Sequence, residues 1–173
     1  NMFATKDWLK ASWRAGRDML RPVTGGSSTS DIHIHQQETP VMVPIRSLGP
    51  SHRERIAQHL LQLEPADRYL RFGYAANDEQ IRRYAEQLNF ERDEIFGIYN
   101  RRLELIAMAH LAFSEHPEHK HCAEFGVSVL KQARGRGFGA RLFERAVMHA
   151  RNEGVNMMFI HALSENTAML KIA

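Results

Sequence analysis

The sequence predicts an α/β (α+β) fold in which a mixed, mostly antiparallel central sheet is flanked by helices. Three β-prone segments, residues 94–99, 103–113 and 122–129, follow one another with only turns between them, which is the pattern of an antiparallel meander. The third segment leads through a glycine-rich loop into a run with apolar residues every three or four positions, and then to another β-prone run at 155–162. A strand, a crossover helix and a second strand in that order predict one parallel pair within the sheet.

The composition is that of one ordinary globular domain. The chain has 173 residues, of which 43% are hydrophobic and 25% are charged, which suits a core large enough to fold alone. The net charge is +3, but basic and acidic residues are interleaved, so we expect no nucleic-acid partner. No apolar run approaches the roughly 18 residues of a membrane span, and we expect no transmembrane segment. A single cysteine, Cys122, is typical of a reducing compartment and predicts a cytoplasmic protein.

The first forty residues differ from the rest in composition. Residues 1–22 place apolar side chains such as Leu9 and Trp13 at helical spacing among lysines and arginines, which predicts a basic amphipathic helix. We favour a terminal helix that packs on its own domain or is frayed over one that docks to a membrane surface or a partner. Residues 23–40 are rich in glycine and serine and are predicted to form a flexible linker. The folded domain is expected to span 41–173.

Before the meander, the domain is predicted to form an edge strand and two helices. Residues 41–46 alternate apolar with other side chains, and a proline among them favours the sheet edge. Residues 51–54 (Ser-His-Arg-Glu) fit a capping box for a first helix that ends near Pro65. Asn77 or Asp78 is expected to cap a second helix.

The glycine-rich loop before the crossover helix has the composition of an anion site. Residues 134–139 are Arg-Gly-Arg-Gly-Phe-Gly, and the helix is predicted to begin at their end. N–H groups at a helix start have no internal partner, and the helix dipole adds roughly half a positive charge there. Glycines let the backbone approach a ligand with no Cβ in the way, and arginines suit phosphate oxygens. The loop therefore predicts a pyrophosphate site.

Three glycine patterns compete for this loop. A Walker P-loop is excluded because the chain has no G-x-x-x-x-G-K-S/T run. A dinucleotide fingerprint, G-x-G-x-x-G/A, is formally met by Gly135, Gly137 and Ala140, but little chain remains to complete an NAD-binding domain. The pattern Q/R-x-x-G-x-G/A is met by Arg134, Gly137 and Gly139, and again two residues earlier. We prefer this third pattern in its later register, because that register places the last glycine at the helix start.

Residues 123–129 (Ala-Glu-Phe-Gly-Val-Ser-Val) followed by 134–139 resemble motif A of the GNAT superfamily of acetyl-CoA-dependent N-acetyltransferases. Residues 165–170 (Glu-Asn-Thr-Ala-Met-Leu) are similar to motif B of that family. The resemblance covers residue 41 to the C-terminus and leaves the first forty residues unexplained. It implies a GNAT-like sheet, acetyl-CoA as the cofactor, and direct transfer of an acetyl group to an amine. The amine is either a protein lysine or a small molecule, and the sequence makes no prediction about the oligomeric state.

The resemblance also implies roles for individual residues in binding coenzyme A. Val127 and Val129 would bind the pantetheine arm through main-chain groups, and a backbone N–H there would polarise the thioester carbonyl. Asn166 would hydrogen-bond the pantetheine, with a plain helix cap as its alternative role. The diphosphate would be held by the loop and the helix start, which comprise Arg134, Gly135, Arg136, Gly137, Phe138, Gly139 and Ala140.

Glu124 is the candidate general base, because bacterial protein acetyltransferases of the family place a glutamate before the same pattern. An ordinary glutamate at a strand end is the equal alternative. Glu104 and His110, assigned to the neighbouring predicted strand, are reserve candidates. The region between the first two strands forms one wall of the acceptor site in the family. Its candidates here, each of which also suits core packing or a surface ion pair, are Tyr69, Arg71, Phe72 and Tyr74.

The C-terminal segment departs from the family pattern. Many members place a tyrosine about seven residues after the motif B asparagine, to protonate the departing thiolate, but that position is Ala173 here. Either the thiolate leaves without a side-chain acid, as its usual pKa of roughly 8.5 allows, or another group serves, or the chain is a non-catalytic acyl-CoA-binding regulatory module. Ser164 or Asn166 is predicted to begin a last helix. Family members usually continue beyond it, so we expect a domain that is incomplete at its C-terminal side.

The predicted hairpin tip at residues 114–121 holds three histidines, His116, His119 and His121. Their spacing is compatible with a zinc site, but no thiolate or second ligand pair is near in the sequence. We therefore predict a solvated hairpin tip and no metal site.

Overall fold

The computed structural model describes residues 43–161 and 168–172, so the predicted helix of residues 1–22 and the linker of 23–40 lie outside the described residues. One six-stranded sheet forms the centre. Its strands are β1 (Arg46–Ser47), β2 (Glu94–Tyr99), β3 (Leu105–Phe113), β4 (Cys122–Val129), β5 (Met157–His161) and β6 (Ala168–Lys171). The strands follow the chain order across the sheet, and every neighbouring pair is antiparallel except β4 and β5, which are parallel. The predicted mixed, mostly antiparallel sheet with one parallel crossover is confirmed.

Within the described residues, four α-helices flank the sheet: α1 (Arg53–Leu61), α2 (Pro65–Phe72), α3 (Asp78–Glu86) and α4 (Phe138–Asn152). Alternate residues of β4 identify the two layers, because successive side chains of a strand point to opposite faces. Gly126 lies against Arg71 of α2, whereas the Phe125 ring meets the Phe143 ring of α4 with 5.8 Å between centroids. Helices α1 and α2 therefore cover one face and α4 covers the other.

The core lies between these layers, and β3 runs through its middle. Eight of the nine residues of β3 are buried, because the strand is covered on both faces and paired on both edges. A strand buried in this way is apolar nearly throughout rather than alternating. No helix within residues 43–161 and 168–172 is long and apolar enough to cross a bilayer.

The start of the domain differs from the sequence prediction in its first strand and in the residues before α1. Residues 43–45 are not strand, and only Arg46–Ser47 pairs with β2, because Pro44 has no N–H to donate to a ladder. The predicted capping box at 51–54 is wrong. A 3-10 turn at Pro50–His52 precedes α1, and His52 Nδ1 accepts the Gly49 N–H at 2.9 Å.

Three helices, rather than two, lie between β1 and β2. The additional helix is α2, which starts with a proline at its first position and ends at Gly73 in the left-handed conformation, with a φ of 79°. These are the positions that proline and glycine favour at helix ends. The predicted cap of the next helix is confirmed, since Asn77 Oδ1 accepts the Gln80 N–H at 2.8 Å and the Gln80 side chain accepts the Asn77 N–H at 2.9 Å.

The predicted C-terminal helix is wrong over Ala168–Lys171, which forms β6. This strand pairs antiparallel with β5 from Ile160↔Ala168 to Met157↔Lys171. Without β6, the second edge of β5 would present unpaired backbone N–H and C=O groups. An added strand pairs with these groups and a helix does not, which favours the strand. Asn166 and the other residues of 162–167 lie outside the described residues.

Candidate functional site

The glycine-rich loop has the conformation that its glycines permit. A 3-10 turn, Lys131–Ala133, follows β4, and Gly137 is the residue that precedes α4. Gly135 and Gly137 have φ values of +80° and +78°, a region that residues with a Cβ rarely adopt. The chain can therefore turn from strand into helix within a few residues, with the start of α4 close to the end of β4.

The amides at the start of α4 point away from the helix. The first intrahelical hydrogen bond of α4 runs from Arg141 N–H to Gly137 O, at 3.1 Å, so the N–H groups of residues 138–140 have no acceptor within the helix. A Cβ built on Gly135 or Gly137 would meet no atom within 4 Å. The backbone here is open to a ligand, and its donors and dipole favour an anion.

A cavity of about 360 Å³ adjoins this helix start. One wall is the end of β4, and the opposite wall comes from the junction of α1 and α2. The lining is mostly apolar, with charged groups at one end and one hydroxyl: it consists of Leu63, Asp67, Leu70, Val127, Ser128, Val129, Arg134 and Gly139. An elongated ligand with an anionic end and an apolar arm fits this distribution.

The main-chain groups of Val127 and Val129 face the edge of β4 that lies opposite β3. Leu130 N–H donates to Ile106 O at 2.9 Å, and in an antiparallel pair only every second residue faces the partner strand in this way. Val129 and Val127 therefore point their N–H and C=O groups away from β3. The last described pair between β4 and β5 is Gly126↔His161. Within the described residues, no strand pairs with β4 beyond that point.

Two ion pairs connect the loop to the opposite wall. Arg134 Nη2 lies 2.9 Å from Asp67 Oδ2, and Arg134 Nε donates to Val129 O at 3.2 Å. Lys131 Nζ lies 3.7 Å from Glu64 Oε1. Arg136, in contrast, stacks its guanidinium on the Phe138 ring, 4.7 Å from the centroid. The cationic side chain nearest the cavity is therefore already partnered by a carboxylate.

Glu124 lies deeper in the protein than a surface glutamate would. It is 2% exposed, and its position in β4 places its side chain on the same face as Gly126 and Ser128. It does not line the cavity. The Arg71 guanidinium, 1% exposed, covers Gly126, where an added Cβ would lie 2.5 Å from Arg71 Cζ. A buried guanidinium thus occupies the same face of β4 two residues from Glu124.

Arg71 belongs to a buried chain of hydrogen bonds with a defined direction. Arg71 Nη2 donates to Tyr84 Oη at 2.8 Å, Tyr84 Oη lies 2.5 Å from His110 Nδ1, and His110 Nε2 lies 2.8 Å from Asp93 Oδ2. A carboxylate only accepts, so His110 donates from Nε2 and the neutral ring accepts the Tyr84 O–H at Nδ1. Each member is buried, and the chain fixes the position of the Arg71 guanidinium.

The pKa values in this chain agree with that proton arrangement. Burial lowers the pKa of His110 and raises the pKa of Tyr84 to about 12, so both groups are neutral at pH 7. Burial alone would raise the pKa of Asp93, but hydrogen bonds from His110 and Arg92 outweigh it and hold the pKa below its usual range. Arg92 Nε lies 2.9 Å from Asp93 Oδ1.

The two reserve bases are poorly placed. Both ring nitrogens of His110 are engaged, as described above. Glu104 is exposed and lies in the turn before β3, not in the strand as predicted, with its N–H donating to Asn100 Oδ1 at 2.9 Å. Neither offers a buried carboxylate or imidazole to the cavity.

The four side chains that are candidates for the acceptor wall have different environments. Tyr69 is 50% exposed, whereas Arg71 is buried in the chain described above. The Phe72 ring packs edge-on against Tyr84 with 5.3 Å between centroids, and it also packs on Tyr74. Arg71 also stacks on the Phe72 ring, 4.9 Å from its centroid, so Arg71, Phe72 and Tyr74 lie together, and Tyr69 is the extensively exposed member of the four.

A second buried imidazole, His59, was not singled out from the sequence. His59 Nε2 lies 2.7 Å from Ser128 Oγ, and His59 Nδ1 lies 2.7 Å from Leu105 O. Ser128 lines the cavity. The two residues are 69 positions apart in the chain, and no local pattern connects them. The signal available in the sequence was that His59 lies on the apolar face of the predicted first helix, which suggests a buried imidazole.

The hairpin between β3 and β4 brings His116, Glu118 and His119 together, with candidate ligand atoms within 4.8 Å of one another. His116 Nδ1 accepts the Glu118 N–H at 3.2 Å, so the neutral ring has its proton on Nε2 and neither nitrogen offers a free lone pair. The arrangement is that of a hydrogen-bonded turn. Cys122 is buried at the start of β4, and burial raises its pKa to about 11, which keeps it a thiol.

With this geometry in place, the chain can be compared with known proteins. Residues 54–173 match the Acetyltransferase (GNAT) family, which is more than half of the chain. The chain therefore belongs to the GNAT family of acetyltransferases, and the resemblance noted in the sequence is confirmed. No curated protein matches the sequence.

Several solved structures share the fold at low sequence identity. The GNAT domain of S. lividans PAT is 19% identical with a TM-score of 0.57, covering 70% of this chain and 73% of that one. A phosphinothricin acetyltransferase from Sinorhizobium meliloti, in complex with AcCoA, is 15% identical with a TM-score of 0.55, covering 69% and 65%. A ribosomal-protein-alanine N-acetyltransferase from Brucella melitensis is 17% identical with a TM-score of 0.50, covering 68% and 72%. These likenesses establish the fold.

Proposed function

We propose that the protein is an N-acetyltransferase that moves an acetyl group from acetyl-CoA to an amine by direct attack. The observation that supports this most is the junction of three features at one cavity. These are the open amides at the start of α4, the outward-facing main chain of Val127 and Val129, and an apolar wall from α1 and α2. Acetyl-CoA, when bound, supplies an acyl group already activated as a thioester.

The residues present fit that ligand. The amides of Phe138, Gly139 and Ala140 would hold the diphosphate, with Arg134 and Arg136 as nearby cations and the left-handed glycines 135 and 137 shaping the loop. The proposal retains Asn166 as a pantetheine contact, as motif B implies. No metal is required by this chemistry.

The main chain of β4 would take the place of a strand partner for the pantetheine arm. On the edge of β4 that lies opposite β3, Val127 has one N–H and one C=O and Val129 has one N–H, while Val129 O accepts from Arg134 Nε at 3.2 Å. A backbone N–H directed at the thioester carbonyl would stabilise negative charge on its oxygen as an oxyanion donor does. Fixed donors of this kind need no rearrangement during the reaction.

Glu124 is the proposed general base. An alkylamine with a pKa of about 10.4 is almost wholly protonated at pH 7, and removing that proton costs about 4.6 kcal/mol. A carboxylate acting directly or through one water lowers this cost. Glu124 is buried on the face of β4 shared with Gly126 and Ser128, so we favour transfer through water. The thiolate can leave without a side-chain acid because its usual pKa is roughly 8.5.

The acceptor is either a protein lysine or a small-molecule amine. We slightly favour the protein type, because the motif A and motif B runs resemble those of protein acetyltransferases. The chain has a single cysteine, Cys122, which is buried. Because such cysteine usage is typical of a reducing compartment, we also propose a cytoplasmic location.

Replacing Glu124 with Gln tests the assignment of the base. We expect E124Q to lower kcat at least about a hundredfold while acetyl-CoA binding persists, because glutamine keeps the volume but takes no proton. Free thiol release with a panel of amines measures turnover, and calorimetry measures binding. The control is E79Q, whose exposed glutamate pairs with Arg83 on α3 and should leave both unchanged.

Two other functions would give different results. If the wild type binds acetyl-CoA but acetylates no amine or protein lysine, the chain is a non-catalytic acyl-CoA-binding module. If NAD raises the melting temperature and acetyl-CoA does not, the dinucleotide interpretation of the loop is correct instead.

A further inference from the structure

The His59–Ser128 pair has a proton arrangement that follows from its partners. Leu105 O is a carbonyl and only accepts, so His59 must donate from Nδ1. Burial, with a smaller contribution from the Arg71 charge, lowers the pKa of His59 to about 4, and the ring is neutral at pH 7. Its Nε2 is then an acceptor, and the Ser128 hydroxyl donates to it at 2.7 Å.

Ser128 consequently offers the cavity a hydrogen-bond acceptor. Its only hydroxyl proton is directed at His59, which is buried behind it, while the lone pairs of Oγ remain. Three residues of β4 line the cavity, and Ser128 is the one of the three with a polar side chain. A ligand group that contacts Oγ must therefore donate, and a carbonyl or phosphate oxygen at that point would be repelled.

The position of Ser128 identifies which part of a coenzyme it contacts. At the anionic end, the start of α4 lies against Val129, because a Cβ on Gly139 would be 3.9 Å from Val129 Cγ2. Ser128 is the next residue of β4, one position away from that end. At the other end, Glu124 lies a further four residues along β4, about 13 Å at 3.3 Å per residue. Ser128 therefore lies beside the arm that joins diphosphate to thioester, and the nitrogen donors of that arm are its two amide N–H groups.

We propose that Ser128, held by His59, accepts a hydrogen bond from an amide N–H of the pantetheine arm and so selects ligands that have this arm. This inference rests on the proposed function, because it requires coenzyme A in the cavity. His59 is a positioning residue, since it touches Ser128 and not the ligand. A hydroxyl with no fixed partner could rotate and either donate or accept. His59 accepts the hydrogen bond from the Ser128 hydroxyl, so that Oγ can only accept from a ligand.

The test compares coenzyme A with 3′-phospho-ADP, which has the diphosphate head without the arm, by calorimetry on wild type and S128A. We expect S128A to bind coenzyme A about tenfold more weakly, because an amide loses its acceptor in a desolvated site. Binding of 3′-phospho-ADP should be unchanged. S128T, which keeps the hydroxyl, should restore most of the affinity for coenzyme A.

A ligand analogue makes the assignment specific. Two coenzyme A analogues each have one amide N–H replaced by an ester oxygen. We expect one of them to bind the wild type more weakly than coenzyme A does. S128A should bind that analogue and coenzyme A with equal affinity. If S128A does not fold, S128C provides the same comparison, because a thiol can still face His59 but accepts poorly.

Other outcomes overturn the proposal. Equal loss for coenzyme A and 3′-phospho-ADP would show that Ser128 only maintains the fold of the site. Unchanged binding of coenzyme A by S128A would show that no ligand donor meets Oγ. If the wild type binds neither ligand, the proposed function is wrong and this inference fails with it. If the wild type binds coenzyme A and the S128A results are as just described, only this inference is wrong.

Discussion

His59 shows how burial decides the chemistry of a single residue in this protein. Its side chain extends from α1 to β3 and β4, is 1% exposed, and has both ring nitrogens hydrogen-bonded. Water cannot solvate a charge there, and the Arg71 guanidinium opposes a second positive charge nearby. The neutral ring is what gives Ser128 its fixed orientation.

The lowered pKa predicts a pH dependence of stability. An unfolded histidine takes up its proton near pH 6.5, whereas folded His59 stays neutral down to about pH 4. The unfolded state therefore binds more protons between these values, and the stabilisation present above pH 6.5 is lost as pH falls through this window. Between pH 7.5 and pH 5 this histidine should account for about 2 kcal/mol of lost unfolding free energy.

Urea unfolding of wild type and H59Q at both pH values measures this contribution. Glutamine can bridge the same partners and does not titrate, and His110 and the other groups contribute equally to both proteins. The wild type should lose about 2 kcal/mol more than H59Q on acidification. Equal losses would mean that His59 is not held neutral in the folded state.

At the level of single residues, the sequence indicated groups that belong to local patterns. The glycines of the loop were predictable because a strand, a turn and a helix start are adjacent in the chain. The buried pair His59–Ser128 and the chain from Arg71 to Asp93 were not, because their members come from separate elements and only the tertiary fold brings them together. Tyr69 and Arg71 have similar local sequence surroundings, and their opposite exposure depends on how α2 packs.

At the level of elements, the contact between α2 and the glycine-rich loop is electrostatic. Asp67 and Glu64, near the start of α2, pair with Arg134 and Lys131 of the loop, and Asp67 and Arg134 both line the cavity. Arg134 is 47% exposed in its side chain, so the pair with Asp67 is a partly exposed one and is weak. An anion at the helix start would compete with Asp67 for Arg134.

This competition predicts that D67N binds coenzyme A more tightly. Removing the carboxylate releases Arg134 for the ligand and removes a negative charge from the cavity, which should lower the Kd about two- to fivefold at low salt. The matched control is D78N, because Asp78 pairs with Arg68 at 2.8 Å outside the cavity lining. Weaker binding by D67N would instead show that Asp67 contacts the ligand favourably.

Element boundaries were predictable where periodicity is strong and not at the sheet edges. The bounds of β2 and β4 agree with the predicted segments 94–99 and 122–129. At the edges, pairing with a neighbouring strand decides the outcome, and local propensity does not report it. The predicted first strand is reduced to Arg46–Ser47 within the described residues, where Pro44 precedes it. The predicted last helix is replaced over Ala168–Lys171 by β6, which pairs with the edge of β5.

At the scale of the whole molecule, one sheet positions every part of the site. Its β3 strand is paired on both edges and buried on both faces, which provides a rigid support for β4. The last described pair of the parallel ladder is Gly126↔His161. The final residues of β4, 127–129, line the cavity, whereas Glu124 near its beginning is buried. The anion end, the arm and the base candidate are then arranged along one strand.

The most direct test of this account is a crystal structure of the protein with coenzyme A bound. The account predicts diphosphate oxygens within hydrogen-bond distance of the amides of Phe138, Gly139 and Ala140, with the arm running along Val129, Ser128 and Val127 toward Glu124. A complex in which those amides face solvent while the coenzyme occupies another surface would contradict it.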